Sequence, residues 1–197
     1  DHSQNLGHAS ESQGNNSGAT SGTIPHIYGA HAGQTFGRNF GFPELPGLFC
    51  TSTSYRNEPN PQPGRHNLIF PMFEFEIKGG FESLIKFEKD MLEYLGYPKT
   101  NFGKSVQDYP EGNYLEVAKK YDTYELEHEH EAQLYKDHGS SFLLKNFPEY
   151  SSPFWNMKRE GKISKKIDVI LSGQETIGSA ERSCDPEEMR KSFKTIS

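Results

Sequence analysis

Between Phe49 and Ile77 the chain reads FCTSTSYRNEPNPQPGRHNLIFPMFEFEI, two runs of alternating character around a loop dense in Pro and Gly. That arrangement predicts an antiparallel strand pair joined by a long loop. With a side-chain period of two, Cys50, Ser52, Ser54, Arg56 and Glu58 share one face of the first run, and Phe49, Thr51, Thr53 and Tyr55 the other. On the second run Phe70, Met72, Glu74 and Glu76 share a face, while Ile69, Pro71, Phe73, Phe75 and Ile77 are expected to back onto apolar material. Exposed alternation is ordinary in half-solvated sheets. A face that gathers one guanidinium, an aromatic ring, a thioether and several carboxylates instead suits a site that holds a base, a phosphate and an amine.

The rest of the composition narrows the class. At 197 residues the chain can bury one sizeable core, and a net charge of −6 gives it no global basic footprint for nucleic acid. No apolar run approaches membrane-spanning length, and no signal peptide is expected. Cys50 and Cys184 lie far apart, one of them on the presumed site strand, so reduced thiols in a cytoplasmic protein are expected rather than a disulfide. Residues 1–23 are dominated by Ser, Gly, Asn, Gln and His and read as a loop or poorly ordered arm. His2 and His8 have no Cys or carboxylate at ligand spacing.

Downstream, Phe81, Leu84, Ile85, Met91, Leu92 and Leu95 mark one face of a helix that Gly96 and Pro98 stop. The Glu and Lys residues between them are expected to form its solvated face. From Tyr114 to Gly139 the composition is helical. Its run Glu127-His128-Glu129-His130-Glu131 invites a metal reading, yet neighbours two apart do not share a helix face. Ser141–Met157 reads as a buried β-hairpin, and Ile167–Leu171 as a buried strand running into a Gly-containing turn. Glu175 and Arg182 then stand seven apart at the start of an expected helix.

Taken together, Tyr55-Arg56-Asn57-Glu58, the loop pair Arg65-His66 and Phe70-x-Met72-x-Glu74-x-Glu76 resemble motif 2 of the class II aminoacyl-tRNA synthetases, in the aspartyl/asparaginyl branch. The strand leading to Glu175-Thr176-Ile177-Gly178 with Arg182 seven after the Glu resembles the family's late core strand. Phe147-Pro148 and Pro153-Phe154-Trp155 keep the family's aromatic hairpin, His130-Glu131 with Leu134 resembles a turn of the asparaginyl enzymes, and Asp185–Met189 a family helix. The resemblance implies an α+β fold with a class II antiparallel sheet flanked by helices, as a partial catalytic domain over residues 24–197. Neither the family's motif 1 nor its motif 3 is expected within these residues.

The same resemblance implies site roles. Arg56 would hold the ATP α-phosphate, Glu58 the nucleotide, Arg65 and His66 the γ-phosphate, and Phe70 the adenine ring. Glu175 would carry Mg²⁺, while Gln34, Glu74 and Arg182 would contact the amino acid. The chemistry agrees: a guanidinium fork matches two phosphate oxygens and stays charged, and Mg²⁺ is commonly held by one or two carboxylates plus phosphates. Gln34 has Gly37 three residues on, where the aspartyl enzymes place a Lys, with Arg38 one residue late. Gly178 likewise stands where some aspartyl members have Ser. The expected activity is ATP-dependent formation of an aminoacyl-adenylate on aspartate, asparagine or a close analogue, by a cytoplasmic homodimer that passes the acyl group to tRNA, ammonia or another amine. The alternative is a non-catalytic paralogue that binds tRNA, a nucleotide or a protein partner.

Overall fold

The computed structural model describes residues 46–55, 57, 59, 60, 64, 67–151 and 153–196, without the side chains of 195 and 196. The chain divides into two compact units, Asp1–Lys78 and Gly79–Ser197. In the first, β1 (Gly47–Tyr55) and β2 (Ile69–Ile77) pair antiparallel over their whole length, from Gly47↔Ile77 to Tyr55↔Ile69. The expected strand pair is therefore present, with the two polar faces on the same side: Cys50 opposes Glu74, Ser52 opposes Met72 and Ser54 opposes Phe70. Which side is sheltered differs from expectation. Ser54 is 1% exposed, whereas on the apolar face Phe49, Ile69 and Phe73 are 76%, 62% and 52% exposed and Phe75 and Ile77 are half-buried, so that face is open to solvent at the first three positions. On the sheltered side small Ser side chains lie opposite the long ones of Phe70 and Met72, and on the open side Phe73 packs sideways against Phe49 and Phe75.

The second unit opens with α1 (Phe81–Tyr94), where the period of Phe81, Leu84, Ile85 and Leu92 sets the buried face. It ends as the sequence predicts: the Gly96 N–H bonds the Glu93 carbonyl and the Tyr97 N–H bonds the Leu92 carbonyl, a Schellman pattern. A small hairpin, β3 (Thr100–Asn101) with β4 (Lys104–Ser105), follows. The main sheet comprises β5 (Glu111–Asn113), β6 (Ser141–Pro148), β7 (Arg159–Glu160), β8 (Ile163–Leu171) and β9 (Gln174–Ala180). β5 runs parallel to β6 and is linked to it through α2 (Tyr114–Lys120) and α3 (His128–His138). β8 is the central strand: β6 pairs with it along one edge, and β7 and β9 share the other edge end to end, all antiparallel. α4 (Pro186–Ile196) closes the unit at the expected Asp185–Met189 helix.

Burial follows from this layout. Tyr114, Val117, Ala118 and Leu134 of the helices pack on Phe142, Leu144, Phe147 and Ile170 of the sheet. The alternate residues Leu143, Ile167 and Val169 are fully buried. Each side chain of this size contributes about 1.5–3 kcal/mol when taken out of water.

Two expectations change here. Ser141–Met157 is not a self-contained hairpin: β6 runs into a 3₁₀ turn at Glu149–Ser151, and its return partner is β8. The segment after Leu171 is a strand, not a helix. Ser172 (φ 51°) and Gly173 (φ 84°) both adopt positive φ, the two-residue hairpin turn whose twist suits antiparallel strands, and this folds β9 straight back along β8.

The solvated face expected on α1 also has an exception. Glu88 is fully buried, and its Oε1 accepts a hydrogen bond from the Ser179 hydroxyl of β9. Its Oε2 has no protein partner. Burial raises its carboxyl to about 7, against the partial relief of the Ser179 bond. Below the unfolded pKa both states are protonated; as pH rises toward 7 the unfolded chain ionises first, so stability is lost across that window. Glu88→Gln is therefore expected to raise unfolding stability at pH 8 by on the order of 3 kcal/mol. It should also flatten the fall in stability between pH 4.5 and 7 measured by urea denaturation. An unchanged pH profile would contradict the assignment.

Candidate functional site

In the first unit the polar side of the hairpin carries two of the predicted site residues. Phe70 and Glu74 are both half-buried on β2, Phe70 opposite Ser54 and Glu74 opposite Cys50. The Ser54 hydroxyl donates to the Met72 sulfur at 3.7 Å. Burial, then the negative charge of Glu74 and Glu76, pushes the Cys50 thiol up and keeps it protonated. Cys50 and Cys184 are not joined in a disulfide. The predicted site residues Gln34, Arg56, Glu58, Arg65 and His66 lie outside the described residues, as do the arm 1–23, Gly37 and Arg38.

The second unit builds a site on β8 and β9. Between them the register shifts at Val169/Ile170, leaving Thr176 as an extra, unpaired residue. The shift brings Gly178 rather than Ile177 opposite Asp168, and sets Glu175, Gly178, Asp168 and Lys166 on one face. A Cβ on Gly178 would stand 2.8 Å from Glu175 Oε1 and 3.6 Å from Asp168 Oδ1, so both carboxylates border the space that glycine leaves open. The Glu175 N–H donates to Glu131 Oε2 of α3 at 3.1 Å. On the other side, the Lys166 ammonium donates to Asp168 Oδ2 at 2.6 Å and lies 4.2 Å from the centre of the Phe147 ring.

The electrostatics of this face are one-sided. Asp168 is 4% exposed, and its Oδ1 has no protein partner. Burial drives its carboxyl far above the usual carboxylate range, Lys166 opposes the shift, and Glu175 and Glu131 reinforce it. Burial works against the charge on Lys166, but Asp168 and Glu175 outweigh it and raise the ammonium. Two carboxylates, Asp168 and Glu175, thus act on one ammonium, and a third, Glu131, acts on Asp168. A hard divalent cation fits these donors: one buried carboxylate oxygen lacks a partner, and Glu175 beside it is exposed to solvent. Among the described residues no three His, Cys, Asp or Glu side chains form a complete metal cage, and Mg²⁺ held by one or two carboxylates, water and phosphates needs none.

Arg182 lies just beyond β9, bridged to Met157, and its Nη1 donates to Asn156 Oδ1 at 2.9 Å. The histidine run serves to start a helix: the Glu127 N–H donates to His130 Nδ1 at 2.9 Å, completing a reciprocal cap with the Glu127 side chain, and Leu134 is buried below. Sequence reasoning assigned no site role to Asp168 or Lys166, and treated Glu131 only within the histidine run. For Asp168 the signal was available, a lone carboxylate inside the apolar run Ile167–Leu171.

Residues 42–197 match the model of the family described as tRNA synthetases class II (D, K and N), and the chain belongs to that family. Among solved structures it is similar to an aspartyl tRNA synthetase from Entamoeba histolytica, at 17% identity and a TM-score of 0.64 over 87% of this chain and 40% of that one. It is also similar to the asparaginyl-tRNA synthetase from Pyrococcus horikoshii in complex with asparaginyl-adenylate, at 17% identity and a TM-score of 0.64 over 80% of this chain and 42% of that one. These likenesses establish the class II α+β fold. The chain spans less than half the length of these solved relatives. No curated protein matches it.

Gly178 is the position that lets the two carboxylates share one space. Because the atom nearest to an added methyl is the free end of Glu175, Gly178→Ala is expected to keep the fold, with unfolding stability within about 0.5 kcal/mol of wild type. The Glu175 carboxylate should instead turn away from Asp168. A crystal structure of the variant with Glu175 unmoved would contradict this geometry.

Proposed function

We propose that this chain carries part of a catalytic core that activates aspartate, asparagine or a close analogue with ATP, forming an aminoacyl-adenylate and releasing pyrophosphate. The observation that carries the reading is the Glu175/Asp168 carboxylate pair over Gly178, within a class II synthetase fold. The asparaginyl-adenylate held by the Pyrococcus horikoshii relative supports the same chemistry. The reaction is in-line attack of the substrate carboxylate on the α-phosphorus, with the bond to pyrophosphate breaking as the new P–O bond forms.

Each group has a proposed task. Arg56 holds the α-phosphate as its charge grows; Glu58, Arg65, His66 and Phe70 hold the rest of the nucleotide; Gln34, Glu74 and Arg182 orient the amino acid. Glu175, with Asp168 beside it, holds Mg²⁺, which when bound neutralises phosphate charge. Asn156 fixes Arg182 through its 2.9 Å hydrogen bond. Catalysis on this reading is positioning and charge neutralisation rather than proton transfer. The acyl acceptor is tRNA, ammonia or another amine, and the complete protein works as a homodimer in the cytoplasm. Two cysteines outside any disulfide agree with a reducing compartment, and no helix among the described residues is long and apolar enough to cross a membrane.

The test is ATP–pyrophosphate exchange by the complete protein across the amino acids. Exchange is expected with aspartate, asparagine or a close analogue, and Arg56→Lys, which keeps charge but loses the two-pronged grip, should lower it by roughly a hundredfold or more. No exchange with any amino acid would favour a non-catalytic paralogue. Full exchange by Arg56→Lys would remove Arg56 from the site.

A further inference from the structure

Lys166 has no role in the proposed reaction, although its side chain is built into the site face beside Asp168. Asp168 uses its two oxygens differently. Oδ2 receives the Lys166 ammonium at 2.6 Å, while Oδ1, inside a side chain that is 4% exposed, has no protein partner and borders the space over Gly178 opposite Glu175 Oε1. A carboxylate on a two-bond side chain can turn about its terminal torsion, so something must decide which oxygen faces the site. The ammonium does so by occupying the other one. Lys166 is in turn held from below, with its Nζ 4.2 Å from the centre of the Phe147 ring, and Phe147 is 5% exposed on β6.

We propose that Lys166 is a positioning residue for a divalent cation: by capping Asp168 Oδ2 it presents Asp168 Oδ1, together with Glu175, to the metal. This rests on the metal assignment made above and adds to it the residue that orients the ligand. Two effects of Lys166 oppose one another, since its positive charge repels a cation while its hydrogen bond orients the carboxylate. The geometry favours orientation. The ammonium lies on the oxygen that does not border the Gly178 space, and its charge is already balanced by Asp168 and Glu175. Groups that hydrogen-bond a ligating side chain typically contribute about 10- to 100-fold to metal affinity.

The experiment measures binding of Mn²⁺ alone, without nucleotide or amino acid, to the whole protein by the loss of the free-ion electron paramagnetic resonance signal. Lys166→Met is expected to weaken Mn²⁺ binding by about 10- to 100-fold, and Lys166→Arg, which can still cap Oδ2, to recover most of it. In an Asp168→Asn background, where the oriented carboxylate is gone, Lys166→Met should change the affinity little. That background also removes the buried unpaired charge that could unfold the single variant. Binding by Lys166→Met as tight as wild type, or tighter, would overturn the proposal, as would a further tenfold loss in the Asp168→Asn background. If the wild-type protein takes up no Mn²⁺, the metal assignment falls and this role with it; pyrophosphate exchange then decides separately whether the adenylate reading stands.

Discussion

A charge in the middle of a buried strand is the constraint around which the second unit is arranged. β8 has neighbours on both edges and fully buried residues at Ile167 and Val169, and between these two it places Asp168. A carboxylate taken out of water is strongly destabilising unless paired. Here the pairing comes from Lys166, two residues earlier on the same face, and the remaining oxygen is left at the edge of a space kept open by Gly178. The bulge at Thr176 supplies that glycine; without it Ile177 would fall opposite Asp168 and fill the position with an apolar side chain. Packing, register and electrostatics therefore meet at one point. Such concentration of unfavourable burial is more typical of a site than of a scaffold.

The strand pair, the first helix with its stop, and the central strand were legible because each rests on local periodicity and a local breaker. The alternation from Phe49 to Tyr55 and from Ile69 to Ile77 gave the right pairing, and even the right face partners. It could not say which face would be sheltered, because that depends on what packs against it rather than on the strand itself. The helix expected after Glu175 failed for a readable reason: Ser172-Gly173 is a two-residue turn signal, and the polar residues that follow fit an edge strand as well as a helix. Glu88 was misplaced because its charge assigned it to the solvated face, although helical periodicity puts it in line with Phe81, Leu84, Ile85 and Leu92; its tertiary partner Ser179 meets it there.

For the site, the family motifs located Glu175 and Arg182, but they did not reveal the environment. Asp168, Lys166 and Glu131 come to Glu175 from two elements and more than forty residues of sequence, through strand pairing and one backbone hydrogen bond. The Glu131 contact is non-local and no spacing rule in the sequence encodes it, whereas Lys166 and Asp168 reach Glu175 through strand period and the β8–β9 hairpin. The proposed chemistry draws on the result: a face rich in carboxylate would accept a phosphate-bearing substrate together with a divalent cation.

The central claim is that this fold forms an acyl-adenylate, and trapping that species with hydroxylamine tests it most directly. The complete protein, incubated with ATP, Mg²⁺ and either aspartate or asparagine, is predicted to yield the corresponding hydroxamate together with AMP, and neither product when Mg²⁺ is withheld. Formation of neither hydroxamate nor AMP with either amino acid would contradict the account.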